Sequence, residues 1–291
     1  MTRQTSLVAP ARQEGADMVP TSDSARKPLL EAIGLSHEYV VRGSKVTALD
    51  DVNLTIREGD FVTIVGPSGC GKSTLAGMFA GLIKPSRGQV LYDGKPIDGP
   101  SRERGMVFQE LAVLPWRTVT DNIAHGLQIA GVPKAERNRR VAELIKLIGL
   151  EGFESKYPRE LSGGMRQRVA VARTWAPEPP VILMDEPFAA VDAITRLTLQ
   201  EELIRLAKTT QRTVVFITHS VDEAVFLGDY VVAMTARPGR VLEIVPVNHP
   251  PGQRTWEAMA TDTRLQEIVS HVFELVRGRA APPETGKQAQ R

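Results

Sequence analysis

Hydrophobic positions along the chain fall into short runs separated by turn residues, and their period changes from one region to the next. Leu29–Leu35 and Val52–Ile56 are short apolar segments broken by turns. Arg57-Glu-Gly-Asp60 reads as a turn, and Phe61–Val65 after it as a buried strand. Lys72–Ile83 is expected to be a helix that stops before Pro85, because the residue preceding a proline is pushed out of helical backbone. Val181–Met184 and Val214–Thr218 are apolar or β-branched runs that end on acidic or polar residues, as strands covered on both faces do. Residues 111–176 read mostly as helices, with Lys134–Ile148 the clearest amphipathic stretch. Helices between two halves of a parallel-sheet domain imply an inserted helical subdomain. After Pro246 an irregular Pro-rich stretch leads to an amphipathic helix near Asp262–Val276 and a polar tail, and the chain has no internal repeat. Residues 1–28, rich in Thr, Ser, Ala, Pro and Arg, are expected to form a disordered tail.

Composition narrows the class. The 291 residues suffice for one large α/β domain or two small ones. The formal net charge is +2 and no single-sign block is long, so no nucleic-acid partner is expected. The single cysteine, Cys70, excludes an intrachain disulfide. No run of about 18 apolar residues is present, so the chain is not expected to span a membrane by itself. The N-terminus also lacks the apolar core of a signal peptide. A cytosolic protein is expected; to serve a membrane it must dock onto a separate subunit.

Gly66-Pro-Ser-Gly-Cys-Gly-Lys-Ser73, between a predicted strand and a predicted helix, is a phosphate-binding loop in its proper context. Its glycines let backbone N–H groups curl around phosphate oxygens, and the helix that follows points its positive end at them. The loop residues Gly66, Pro67, Ser68, Gly69, Cys70, Gly71, Lys72, Ser73 and Thr74 are therefore candidate nucleotide ligands. Lys72 is expected at the β- and γ-phosphates and Ser73 on Mg²⁺. The Cys70 side chain either lies idle or, once alkylated, fills the loop and blocks nucleotide. Asp185 ends a strand, where a carboxylate can sit beside Mg²⁺ through water, and Glu186 is the candidate to polarise the attacking water. His219, in Ile217-Thr-His-Ser220, falls at a strand's C-terminal end, the edge where open α/β sheets bind ligands, so a γ-phosphate contact is expected. Gln109, closing Met106-Val-Phe-Gln109, can contact either Mg²⁺ or the attacking water. Tyr39 offers an aromatic face to adenine, with a packing role as the alternative.

Leu161-Ser-Gly-Gly-Met-Arg-Gln-Arg168 changes the picture. Together with the phosphate loop and Val181-Ile-Leu-Met-Asp-Glu-Pro187, in this order, it resembles the ATP-binding subunit of an ABC transporter. Tyr39, Gly66–Thr74, Gln109, Leu161–Arg168, Asp185-Glu186, Asp192 and His219 match the family's seven elements in order. The resemblance implies a P-loop NTPase of RecA-like α/β fold, with an N-terminal antiparallel β subdomain and a helical subdomain over about 111–176. It places the ATPase domain at 29–247 and leaves 248–291 as a C-terminal extension with a short helix. It further implies ATP and Mg²⁺ (Ser73, Gln109, Asp185) as cofactors, with Glu186, His219 and Gln109 in hydrolysis. A head-to-tail dimer is implied, in which Ser162, Gly163 and Gly164 of one copy reach the other's ATP and Asp192 contributes at the contact. Two membrane-spanning permease subunits and, indirectly, a solute-binding protein are the implied partners, at the cytoplasmic face of the inner membrane.

Gln109-Glu-Leu-Ala-Val-Leu-Pro-Trp116, Asp185-Glu-Pro-Phe188 and Arg237-Pro-Gly-Arg-Val241 resemble the nitrate/sulfonate/taurine importer group. Two departures stand out. Ala189-Ala-Val-Asp192 replaces Gly-Ala-Leu-Asp, and Thr174-Trp-Ala176 replaces Ala-Leu-Ala, with Trp175 expected to pack internally. Two readings of Leu111–Trp116 stand side by side: a groove for a membrane subunit, or packing inside the helical subdomain. An importer ATPase is the leading function and a non-transport ABC ATPase acting on ribosomes or DNA the alternative. A single signature and the lack of room for a long coiled coil weigh against that alternative.

Overall fold

The computed structural model describes residues 26–110, 112–249 and 254–278. Residues 1–25 of the expected tail lie outside the described residues, as do Leu111 and 279–291. The predicted tail boundary is slightly late, since β1 already begins at Pro28.

Two sheets organise the molecule. The first is antiparallel, built from β1 (Pro28–Val41), β2 (Ser44–Arg57), β4 (Arg87–Tyr92) and β5 (Lys95–Pro96) in the order β2-β1-β4-β5. The second contains β3 (Phe61–Val65), β6 (Arg104–Val107), β7 (Val181–Asp185), β8 (Thr213–Thr218), β9 (Tyr230–Met234) and β10 (Val241–Pro246) in the order β10-β9-β3-β8-β7-β6. Its strands are parallel except β10, which pairs antiparallel with β9. Every residue of β3, β7, β8 and β9 is buried. Because successive side chains point to opposite faces, each of these strands feeds two cores. Val62, Ile64, Val215 and Ile217 pack toward α1 (Lys72–Phe79) and the antiparallel sheet. Phe61, Val65, Val214 and Phe216 pack toward the remaining helices.

Those helices are α2 (Val119–Ile129), α3 (Lys134–Leu147), α4 (Gly163–Trp175), α5 (Ala193–Thr210), α6 (Val221–Leu227), α7 (Trp256–Thr261) and α8 (Thr263–Arg277). The predicted helical region contains α2, α3, a 3-10 turn at Pro158–Glu160 and α4, with irregular connections between them. Trp175 is buried, as expected of a side chain that packs internally. α7 and α8 contribute Met259, Leu265 and Val272 to the same core as α6.

A helix boundary is also corrected: α1 ends at Phe79, short of Ile83. Gly81 takes φ +79°, and a Cβ there would lie 2.2 Å from the Gly99 carbonyl oxygen. The Leu82 N–H turns back to the Gly77 carbonyl at 2.8 Å, a left-handed helix stop that the apolar pattern through Ile83 conceals.

Candidate functional site

β3 delivers the chain into Gly66–Gly71, and α1 begins immediately after. Gly71 has φ +103°, and a Cβ on it would meet Leu49 Cδ2 at 2.6 Å, so only glycine lets the loop close against β2. Lys72 is buried, and its Nζ donates to the Gly66 and Pro67 carbonyls at 2.8 and 3.1 Å, which holds the ammonium inside the loop. A cavity of about 370 Å³ opens in front of the loop, lined by Tyr39, Lys72, Ser73, Thr74, Gln109 and Glu186 among others. Asp185, buried at the end of β7, is pushed above the usual carboxylate range by burial, with a hydrogen bond from Ser73 acting the other way.

Three parallel strands end on this edge and bring Gln109, Glu186 and His219 together. Gln109 Nε2 donates to Glu186 Oε2 at 3.3 Å, and His219 Nδ1 lies 3.4 Å from the same oxygen. Glu186 itself sits in left-handed backbone (φ 48°), with its N–H donating to the Ile217 carbonyl at 3.0 Å. A non-glycine residue held there costs on the order of 1–3 kcal/mol, and such strain concentrates at functional sites.

Tyr39, on β1, has its hydroxyl 3.1 Å from Thr74 Oγ1 and its ring edge-on to His37 at 4.5 Å, so a half-exposed aromatic forms one wall of the cavity. Cys70 behaves differently from the rest of the loop. Its side chain is buried among apolar neighbours, and burial pushes the thiol above its ordinary range against the opposing effect of Lys72. Only its main chain is therefore available to a phosphate. A raised thiol carries less thiolate at neutral pH. Maleimide is expected to label native Cys70 at least about tenfold more slowly than the denatured chain. Equal labelling rates would show that the thiol reaches solvent.

Ser162, Gly163 and Gly164 do not line the cavity. Ser162 caps α4, its hydroxyl accepting from Met165 N–H at 3.2 Å, with the two glycines in the first turn. Asp192 is also outside the cavity: it is exposed and caps α5. Its carboxyl is held below the usual range first by the Thr195 N–H, which it accepts at 3.0 Å.

Two residues that sequence reasoning left without a role belong to the site's frame. Gln167, buried on α4, donates through Nε2 to the Glu186 carbonyl at 3.1 Å and accepts the Ala190 N–H at 2.9 Å, joining the signature helix to the loop after β7. Arg237 lines the cavity and donates through Nε to the Gly69 carbonyl at 3.2 Å. Its position in Arg237-Pro-Gly-Arg-Val241 was the only sequence signal. The Leu111–Trp116 run divides: Val113 packs against the core, Trp116 is 71% exposed, and Leu111 lies outside the described residues.

The family model described as ABC transporter matches residues 49–189. The chain is 52% identical over 222 residues to an uncharacterized ABC transporter ATP-binding protein of Methanocaldococcus jannaschii, covering 76% of this chain and 83% of that one. It is 47% identical over 214 residues to the taurine import ATP-binding protein TauB of Escherichia coli K12, covering 74% and 84% respectively. Among solved structures, it is similar to a dimeric post-hydrolysis ATP-binding cassette bound to ADP and Pi, with TM-score 0.70 and 32% identity over 76% of this chain and 100% of that chain.

Proposed function

Because the chain belongs to the ATP-binding proteins of ABC transporters, we propose that it hydrolyses ATP to drive uptake of a small anionic solute, nitrate-, sulfonate- or taurine-like, through separate membrane subunits. The observation that carries the chemistry is the meeting of Gln109 and Glu186 in the lining of the phosphate-loop cavity, with His219 beside Glu186 just outside that lining. The likeness to a taurine import protein supports the direction of transport and the class of solute.

On this reading Tyr39 stacks on adenine, while main-chain N–H groups between Ser68 and Thr74, in the loop and the start of α1, face the phosphates. Lys72 supplies positive charge at the β- and γ-phosphates. Glu186 takes the proton of the attacking water, with Gln109 and His219 fixing its orientation and that of the γ-phosphate. Ser73, Asp185 and Gln109 offer a hydroxyl, a carboxylate and an amide oxygen, a sparse hard-oxygen set that suits Mg²⁺, which keeps several waters and takes phosphate oxygens. A Mg²⁺ held by these residues would supply positive charge against the terminal phosphates. The separation of Ser162–Gly164 from their own chain's cavity supports a head-to-tail dimer in which they cover the partner's ATP, with Asp192 at the contact. The similarity to a dimeric cassette agrees with that arrangement.

Residues 29–247 form the ATPase domain on this reading, with 111–176 as the helical subdomain that meets the membrane subunit. No helix among the described residues is long and apolar enough to cross a membrane. We place the chain at the cytoplasmic face of the inner membrane, held there by two permease subunits that a solute-binding protein feeds. Exposed Trp116 is proposed as an anchor for the permease. Trp116→Ala is expected to weaken permease association about thirtyfold, the scale of an interface hot spot of about 2 kcal/mol. ATP affinity should stay within twofold, and equal loss of both would remove the docking role. The function as a whole is tested by capturing partners with Glu186→Gln in ATP. A polytopic importer subunit is the expected partner; recovery of ribosomes or DNA without one would overturn the transport reading.

A further inference from the structure

Ser220-Val-Asp-Glu223 has the spacing of a reciprocal helix cap, in which the glutamate bonds back to the N–H of the capping serine. Half of that arrangement forms. Ser220 caps α6, its hydroxyl accepting the Glu223 N–H at 3.3 Å. The Ser220 N–H instead donates to Thr218 Oγ1 at 3.0 Å, so the cap does not need the carboxylate. Glu223 Oε2 accepts the Thr218 hydroxyl, and Oε1 accepts Gln200 Nε2 from α5. Thr218 is buried and directly precedes His219, whose own side chain is 66% exposed and faces Glu186. The Thr218 hydroxyl, already an acceptor for Ser220, sends its proton to Glu223. The partly buried carboxylate thus closes a ring of bonds around the turn that presents His219. Through Gln200 it ties that turn to the helix capped by Asp192. Burial raises its carboxyl above the usual range, against the hydrogen bonds from Thr218 and Gln200 and the charge of Arg196 on α5.

We propose that Glu223 is a positioning residue for ATP hydrolysis, holding Thr218 and Gln200 so that His219 is aimed at Glu186 and the γ-phosphate. The inference rests on the γ-phosphate role given to His219 above. Small displacements of an orienting group cost large factors in rate without weakening ground-state binding.

The test is steady-state ATPase kinetics of the full chain, with thermal melting as the check on folding. Glu223→Ala and Thr218→Val are each expected to lower kcat about tenfold or more, with KM for ATP unchanged. Glu223→Gln retains an oxygen for Thr218 and can meet a flipped Gln200 amide, so it should restore most of the rate; Thr218→Ser should do the same. In a His219→Ala background, Glu223→Ala is expected to add nothing, because residues that act as a unit are not additive. Three results would overturn the proposal while leaving the role of His219 standing. One is a full tenfold loss on top of His219→Ala. Another is a rise in KM together with a lower melting temperature in place of the kcat effect. A third is wild-type turnover in Thr218→Val. If His219→Ala alone turns over normally, the assignment of His219 fails first and Glu223 falls with it.

Discussion

Glu186→Gln is expected to lower kcat for ATP hydrolysis by about 10²–10⁴-fold, the range that a positioned general base contributes, while ATP still binds. Glutamine has nearly the shape of glutamate and keeps an oxygen that can accept from Gln109, so the cluster at the cavity mouth should persist. It cannot take a proton from water. The backbone at 186 is left-handed in either case, and both side chains carry the same backbone cost, so the melting temperature should match that of the wild type. Loss of one negative charge beside the γ-phosphate also favours retention of nucleotide. The variant should therefore accumulate as an ATP-bound dimer, visible by light scattering after size exclusion. Phosphate release measured in parallel gives the rate. A variant that hydrolyses ATP within a few-fold of wild type would move the base elsewhere, and Asp185, buried and engaged with Ser73, would be the next residue to question.

The parts of this site that were legible in sequence are those in which local chain chemistry and function coincide. Phe61–Val65 is apolar because both its faces are covered, and the glycine loop after it has to curl, so strand, loop and helix start all announce themselves. Asp185, Glu186 and His219 are legible because the first ends such a strand and the other two each follow one. β1 and β2 are much longer than their apolar segments suggest. They pair across register shifts near Ala32 and Leu35, and the outer end of β1 leaves Tyr39, Val40 and Val41 exposed, so apolar residues there mark no buried face. β6 begins with Arg104-Gly105 and is recognisable as a strand mainly through its pairing with β7. Tyr230–Met234 carries the same buried-strand pattern as β7, so its place in the sheet was available to the reasoning that found the others. Gln167, Arg237 and Glu223 were not legible as site residues. Their side chains act on groups of distant or differently paired chain, such as Gly69 for Arg237, and polar side chains announce no partner in sequence.

The C-terminal extension leads to the second large effect, on stability. Arg254→Lys is expected to destabilise the chain by about 3 kcal/mol, the scale of leaving two buried carbonyls without a donor. Arg254 has a side chain only 2% exposed, and its guanidinium serves four acceptors. Nε donates to the His249 carbonyl at 2.8 Å. Nη1 donates to the carbonyls of Leu227 and Gly228, at 3.0 and 2.7 Å, where α6 ends. Nη2 donates to Asp229 Oδ1 at 3.2 Å. A lysine ammonium is a point charge on a flexible stem and cannot span these directions at once, so at least two carbonyls would lose their donor. Trp256, two residues on, stacks on Phe226 of α6 with ring centroids 4.2 Å apart. Asp229 in turn accepts the Phe61 N–H at 2.9 Å and pairs with Lys208 of α5, so one carboxylate joins the extension to the strand that feeds the phosphate loop. Hydrogen exchange should therefore report the loss of Arg254 in two places: α7–α8, as the extension loosens, and α6, as its C-terminal end loses its cap. If exchange rises only in α7 and α8 and melting is unchanged, the extension is an appendage. If α6 loosens with it, the extension braces the ATPase domain, and the terminal helices bear on the segment that starts beside His219.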